Sequence, residues 1–287
     1  MSRQDRADAV DRVMAEQLLP EAAVQALGRW WRENEVTYAD GTPGAHTVRY
    51  TPARWTEITP WPSGLAPTSD DGDTWVSRAQ VARIVADALK REDFREALVA
   101  AYVWGKGKRG TPAGSGPTTL QNILADKNLD RALADAVTAL TEKDPQKAYS
   151  ALHQKVTGLG PSFFTKFLYF AGQALPSLPG GQPLILDRVL SLRMRSLAVA
   201  VGRETGLDPD GSIAAWVWAD WNWSPHRYSV YLSFMHKAAR QLADTDTWPS
   251  RATPDLLECA LFNATWPMTG CGEERPATGK RRTVLVP

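Results

Sequence analysis

The chain has 287 residues, of which 43% are hydrophobic and 23% charged, and a formal net charge of +1, which is the profile of a folded globular protein. Its two cysteines, Cys259 and Cys271, are too few for a disulfide framework or a four-thiolate metal cluster. No run approaches the roughly 20 apolar residues of a membrane span, and the polar, acid-rich start is unlike a secretory signal. We therefore expect a cytoplasmic protein that neither crosses nor binds a membrane.

Helical signals run through most of the chain, with apolar residues at three- and four-residue spacing. Pro20 separates the first two periodic stretches. Ser77 is a predicted N-cap, and the pairs Ser224–Pro225 and Thr253–Pro254 combine a cap with a proline in the first helical position. The predicted helices span 4–19, 21–34, 78–90, 93–104, 118–125, 128–141, 144–155, 161–173, 187–201, 212–220, 225–243 and 254–263.

Three stretches lack helical signals. Residues 36–75 contain five prolines, and the alternation of HTVRYT (46–51) predicts loops with a short β-hairpin. Residues 105–117, GKGKRGTPAGSGP, are too rich in glycine for a regular element and lack the spacing of a P-loop. The tail from Gly270 has no periodicity. The predicted division is an N-terminal helical and irregular region over 1–76, a core over 77–265 and a tail over 266–287.

The charge is unevenly distributed. Residues 1–99 carry 12 Lys and Arg against 16 Asp and Glu, whereas Asp187 is the one acid among residues 151–200. The basic residues of that stretch are Lys155, Lys166, Arg188, Arg193 and Arg195. This pattern fits either an anionic ligand on one face of the protein or a solvated helix face.

The segment VTGLGPSFFTKFLYFAGQ (156–173) has the pattern of a hairpin between two helices. Gly158 and Gly160 bracket Leu159, and Pro161 stands where a new helix would begin. Glycines permit a tight turn, and the free N–H groups of the next helix, with its dipole, can hold a DNA phosphate without reading sequence. The alternative is an ordinary helix–turn–helix connection.

Asp187 follows three aliphatic residues in PLILDRVL (183–190), at a predicted helix start. The commonest role of such a residue is that of an N-cap. The functional interpretation is a partly desolvated carboxylate that faces a basic DNA groove. The two roles are compatible, because a cap orients the side chain while apolar neighbours limit its solvation.

Together these motifs resemble the helix-hairpin-helix DNA glycosylase superfamily over roughly residues 80–245. GLGPS (158–162) matches the family's G-[VIL]-G-x-[KS] hairpin, and ILD (185–187) matches the segment of its catalytic aspartate. WSPHRYSVYLSFM (223–235) is similar to a W-x-P-[WYH]-R stretch behind the site of several members. The resemblance implies a mainly α fold, with two helical subdomains flanking a DNA-binding cleft and a small irregular or β segment near the N-terminus.

The resemblance also implies a reaction. Cleavage of an N-glycosidic bond gives the sugar oxocarbenium character, which Asp187 would stabilise after the base leaves the stack. Ser162 stands where bifunctional relatives carry a nucleophilic lysine, so we expect water as the nucleophile and an abasic product. Lys166, one helical turn further on, is a candidate nucleophile, a phosphate contact or merely solvated. A monovalent cation at the hairpin carbonyls is implied, with no other metal or cofactor.

The expected partner is double-stranded DNA containing a modified base, with no obligate protein partner. For two of the candidates below an interpretation without a binding role is also open. The glycine-rich segment can be a surface loop, and His226 can be a surface group at a helix start. The predicted DNA-binding residues are Gly158, Leu159, Gly160, Ser162, Lys166 and Arg188. The predicted base-pocket residues are Trp104, Lys106, Lys108, Arg109, Trp223, His226 and Arg227.

The arrangement looks closest to the bacterial OGG-fold group, which is named for 8-oxoguanine glycosylases. Some of its members resemble anti-phage enzymes that excise glucosylated hydroxymethylcytosine from viral DNA. The missing hairpin lysine, the long N-terminal region and the glycine-rich segment favour that defence role over 8-oxoguanine repair. A third hypothesis is a non-catalytic DNA-binding protein in which Asp187 only caps a helix.

Overall fold

The fold is mainly helical, as the sequence predicts. The computed structural model describes residues 1–108, 116–175 and 181–268, and these form twelve α-helices and one two-stranded sheet. The helices are α1 (Arg3–Gln17), α2 (Glu21–Asn34), α3 (Arg78–Lys90), α4 (Phe94–Lys106), α5 (Pro117–Leu124), α6 (Leu129–Thr141), α7 (Pro145–Leu152), α8 (Pro161–Ala174), α9 (Arg188–Thr205), α10 (Ser212–Val217), α11 (Pro225–Ala243) and α12 (Pro254–Asn263).

Two of the predicted caps, Ser77 and Ser224, are confirmed, whereas Thr253 precedes α12 without capping it, because its hydroxyl donates to the Gly41 carbonyl at 3.2 Å. Ser77 accepts a hydrogen bond from the Gln80 amide in a reciprocal capping box at the start of α3, and Ser224 accepts one from the Arg227 amide at the start of α11. Such caps satisfy N–H groups that have no partner inside the helix. The local sequence therefore fixes where these helices begin.

Three helices end three or more residues from the predicted position. Helix α7 stops at Leu152 instead of 155, because His153 has an extended ψ of 113° and Gln154 after it a positive φ of 60°. Helix α9 continues to Thr205, where Gly206 takes the left-handed conformation that commonly ends helices. Helix α10 stops at Val217, and the Trp218 after it is fully buried.

The predicted β-structure is present, but its strands are far apart in sequence. Strand β1 (Thr47–Tyr50) pairs in antiparallel register with β2 (Thr74–Ser77), so that Val48 faces Val76. The intervening residues include a short 3-10 helix, Pro52–Trp55. Tyr50 and Val76 point into the core. The sheet is thus a long-range pair and not a local hairpin.

Helix α8 lies at the centre of the protein. It packs against α3, α4, α6 and α7, and Phe164, Phe167 and Phe170 on it are fully buried. This position fixes the hairpin that precedes α8 and the extended segment 183–187 that follows it. Within the described part of the chain, no helix is both long and apolar enough to cross a bilayer.

Candidate active site

Asp187 is the N-cap of α9, and its two carboxylate oxygens have different partners. Oδ1 accepts the amides of Val189 and Leu190 at 3.0 and 3.2 Å. Oδ2 lies 3.8 Å from the Lys166 amine, and the Asp187 side chain is 16% exposed. One oxygen therefore holds the helix start, while the other faces the Lys166 amine. The structural and the functional interpretations of this residue do not compete.

Lys166 lies inside the protein instead of on a solvated helix face. Its amine donates to the Ser162 carbonyl at 2.6 Å, and Lys166 is 7% exposed. Burial lowers the pKa of the amine, and the Asp187 carboxylate opposes this effect. A side chain at Gly105 would collide with the Lys166 stem, so the end of α4 makes room for this lysine.

The hairpin turn joins α7 to α8 and exposes both of its glycines. Gly158 has a φ of +81°, which few other residues adopt, and Leu159 is buried beneath the turn. Gly160 is the N-cap of α8, and its carbonyl accepts the amides of Phe163 and Phe164. The outer surface of the turn is backbone that a DNA phosphate can approach closely.

Thr165 ties the hairpin to the segment that carries the acid. Its hydroxyl donates to the Pro161 carbonyl at 2.7 Å and accepts the Leu186 amide at 3.2 Å. Asp187 follows directly, and Lys166 is the next residue on α8. The first turn of α8, the acid and the lysine are thereby brought together.

The segment before Asp187 has further contacts in the core. Tyr228 donates to the Leu184 carbonyl at 2.9 Å, and Tyr231 donates to the Ile185 carbonyl at 2.7 Å. Sequence reasoning missed these tyrosines as well as Thr165. Their polar groups within apolar helix stretches were the available signal, since buried polar groups almost always have partners.

Arg188 lies beside the acid on the surface. The Arg188 side chain is 53% exposed, and its guanidinium pairs with Asp220 at 2.9 Å. Asp220 also lies 3.9 Å from Arg195. Trp221 follows Asp220 and is 74% exposed. The predicted DNA-binding residue is thus accessible to a phosphate.

The predicted pocket residues do not all gather at Asp187. Trp104 is 4% exposed and is covered by Arg78. Trp223 is buried, and its Nε1 donates to Ala219 O and Ser191 Oγ. Both tryptophans contribute to the core, and their role in base binding stays a prediction.

The other predicted pocket cations are engaged as well. Lys108 pairs with Asp73, and partial burial together with Arg54 lowers the pKa of Lys106. Arg109 lies outside the described residues. These two lysines are at the start of the glycine-rich segment, at the same end of α4 as Gly105.

His226 and Arg227 contact the N-terminal helix α1. Arg227 donates to both oxygens of Asp11 at 2.7 and 2.8 Å, and His226 lies 3.9 Å from Asp8. Asp8, Asp11 and His226 place three ligand-type atoms within 4.8 Å of one another. Because Arg227 already neutralises Asp11, this group is an ion-pair cluster and a poor metal site.

Comparison with known proteins gives one result. A family model described as "Putative 8-oxoguanine DNA glycosylase OGG-like protein" matches residues 41–262. The match covers the hairpin, Asp187, Lys166 and both tyrosines, and leaves α1 and α2 outside. Comparisons with curated proteins and with solved structures gave no significant match.

Proposed function

The chain belongs to the OGG-like family, and from this membership we propose that it is a monofunctional DNA glycosylase in which Asp187 promotes base release. The observation that carries the proposal is that the two oxygens of the Asp187 carboxylate have different partners. Oδ1 is held by two helix amides, while Oδ2 takes no part in the cap and lies 3.8 Å from the Lys166 amine. A fixed carboxylate beside a flipped nucleotide stabilises positive charge at the sugar and orients water.

The proposed DNA contact is the hairpin turn. Gly158, Gly160 and Ser162 would hold a phosphate through exposed backbone and the N-terminus of α8, and Arg188 would add a second charge contact. The resemblance also implies a monovalent cation in the turn. Gln154 and Gly158 have positive φ angles that redirect the backbone, and carbonyl oxygens suit such a hard cation. This cation stays a proposal.

A second candidate activity is that of a lyase in which Lys166 attacks the sugar. Burial lowers the pKa of its amine, which favours the neutral, nucleophilic form. Its position beside Asp187 supports this role more than the role of a phosphate contact. Borohydride trapping separates the two activities, since only an amine attached to C1′ gives a covalent protein–DNA adduct. We expect no adduct.

For the excised base we propose glucosylated hydroxymethylcytosine, removed from viral DNA as an anti-phage defence. Two features support this choice over 8-oxoguanine repair. One is the N-terminal region that lies outside the family match, and the other is the glycine-rich segment. Purified protein is incubated with unmodified, oxidised and glucosylated DNA, and free base is measured by mass spectrometry. Release from glucosylated DNA alone supports the proposal, whereas release of 8-oxoguanine identifies a repair enzyme. DNA binding without any release would identify a non-catalytic binder.

A further inference from the structure

The segment 183–186 is deeply buried although it belongs to neither a helix nor a strand. Leu184, Ile185 and Leu186 are at most 2% exposed. Buried backbone N–H and C=O groups are costly without hydrogen bonds. Side chains must therefore supply the partners that regular structure does not.

The described partners come from three helices. Tyr228 and Tyr231 on α11 reach two carbonyls, and Thr165 on α8 accepts the Leu186 amide. The Ile185 amide, two residues before the acid, also has a side-chain acceptor. It donates to Glu258 Oε2 on α12 at 3.0 Å.

Glu258 is a charged group in an apolar interior. It is 1% exposed, and its other oxygen, Oε1, accepts from Arg78 at 2.8 Å. Burial raises the pKa of Glu258, and Arg78 opposes this by favouring the ionised form. A well-packed apolar pair is often as stabilising as a buried ion pair. Stability alone therefore does not explain why these two charges stand here.

The geometry offers another reason. An apolar pair would fill the same space but would leave the Ile185 amide without an acceptor. We infer that Glu258 is a positioning residue for the proposed reaction. It fixes the backbone at Ile185, and this in turn directs the Asp187 carboxylate toward the sugar. The inference rests on the proposed glycosylase function.

The test replaces both charges at once, with Arg78→Met and Glu258→Met, so that neither member of this ion pair is left buried without the other. Melting temperature, affinity for duplex DNA and single-turnover base release are measured with glucosylated DNA and with an 8-oxoguanine duplex. We expect a folded protein with DNA affinity within about two-fold of the wild type. Base release from the saturated complex should fall by about 10- to 100-fold, since displacement of a catalytic group by about 1 Å has effects of this size.

Glu258→Gln provides a conservative comparison, because its amide oxygen can still accept the Ile185 N–H. We expect this variant to retain more base release than the double variant, even where its melting temperature is lower. A purely structural role would give the opposite order, with base release following stability.

Tyr169→Phe is the matched control. It removes a buried hydrogen bond of 2.6 Å to Asp255 on α12 without touching 183–187, and we expect wild-type base release. A double variant with wild-type base release would overturn the inference and leave the proposed function intact. A wild type that binds both DNAs and releases no base would overturn both.

Discussion

The hairpin turn (153–160) and the acid-bearing segment (183–187) are both irregular, yet they are held in opposite ways. The turn is largely exposed and has positive φ angles at Gln154 and Gly158, and one distant side chain, Asp126, accepts its Thr157 amide at 2.9 Å. The acid-bearing segment is buried up to Leu186 and takes its hydrogen bonds from distant side chains. An exposed backbone suits the proposed phosphate contact, whereas the proposed catalytic role of Asp187 requires a backbone held in one position.

The largest expected effect is on base release, and it comes from a substitution in the acid-bearing segment. Asp187→Asn keeps a good helix cap but removes the negative charge, so base release should fall by about 10³-fold or more. DNA affinity and melting temperature should stay near those of the wild type. Single-turnover release and DNA titration measure these quantities.

A matched cap variant distinguishes chemistry from helix capping. Asp144 caps α7 through the Lys147 amide at 2.8 Å, and Asp144→Asn should leave base release unchanged. If Asp187→Asn still released base at the wild-type rate, Asp187 would act only as a helix cap. The functional difference between the hairpin turn and the acid-bearing segment would then disappear.

The hairpin glycines should separate folding from DNA binding. Gly160 has a φ of −83°, and the position that a Cβ would take there has no neighbour within 4 Å, so Gly160→Ala should keep its melting temperature. It should nevertheless bind DNA several-fold more weakly, because the added methyl group stands where a phosphate approaches. Gly158→Ala is strained at a φ of +81° and should lose roughly 1 kcal/mol of stability. Equal DNA affinity for the wild type and Gly160→Ala would show that the turn does not grip DNA.

These two segments also differ in how far the sequence predicts them. The hairpin is local: Gly158, Gly160 and Pro161 specify a turn and a helix start within four residues. The cap role of Asp187 is local in the same sense. The partners of the acid-bearing segment are not, since Thr165 and Glu258 lie 21 and 73 residues from the amides that they accept.

The elements of the fold also differ in whether neighbouring or distant residues determine them. The residues next to Ser77 and Ser224 predict the helix starts there, and the structure confirms both starts. The pairing of β1 with β2, which are separated by residues 51–73, depends on tertiary packing. A pattern read in a short window predicts caps and turns, but it does not reveal which distant side chain meets a buried backbone group.

His46, whose ring packs edge-on against Trp104, should make the protein sensitive to acid. Burial and the nearby Arg78 lower the pKa of His46 to about 3. Between about pH 6.5 and pH 3 the unfolded chain binds this proton while the folded protein does not. The free energy of unfolding should therefore decrease as the pH falls through this range, by up to a few kcal/mol.

Melting temperatures measured from pH 7 to pH 4 test this expectation. His46→Gln should show a shallower decrease than the wild type, because it removes the titrating group. An identical slope for both proteins would show that His46 does not contribute to the pH dependence.

The smallest effect is expected at the surface beside the acid. Arg188→Ala removes an exposed charge that pairs with Asp220. DNA affinity should weaken slightly, and the slope of log affinity against log salt should decrease by about one. An unchanged salt slope would remove Arg188 from the DNA contact.

The most direct measurement is a crystal structure of the protein bound to duplex DNA that carries an abasic-site analogue. We expect a phosphate against the backbone of 158–162 and the Asp187 carboxylate in contact with C1′ of the flipped sugar. DNA bound on another face, or a sugar out of reach of Asp187, would contradict this expectation.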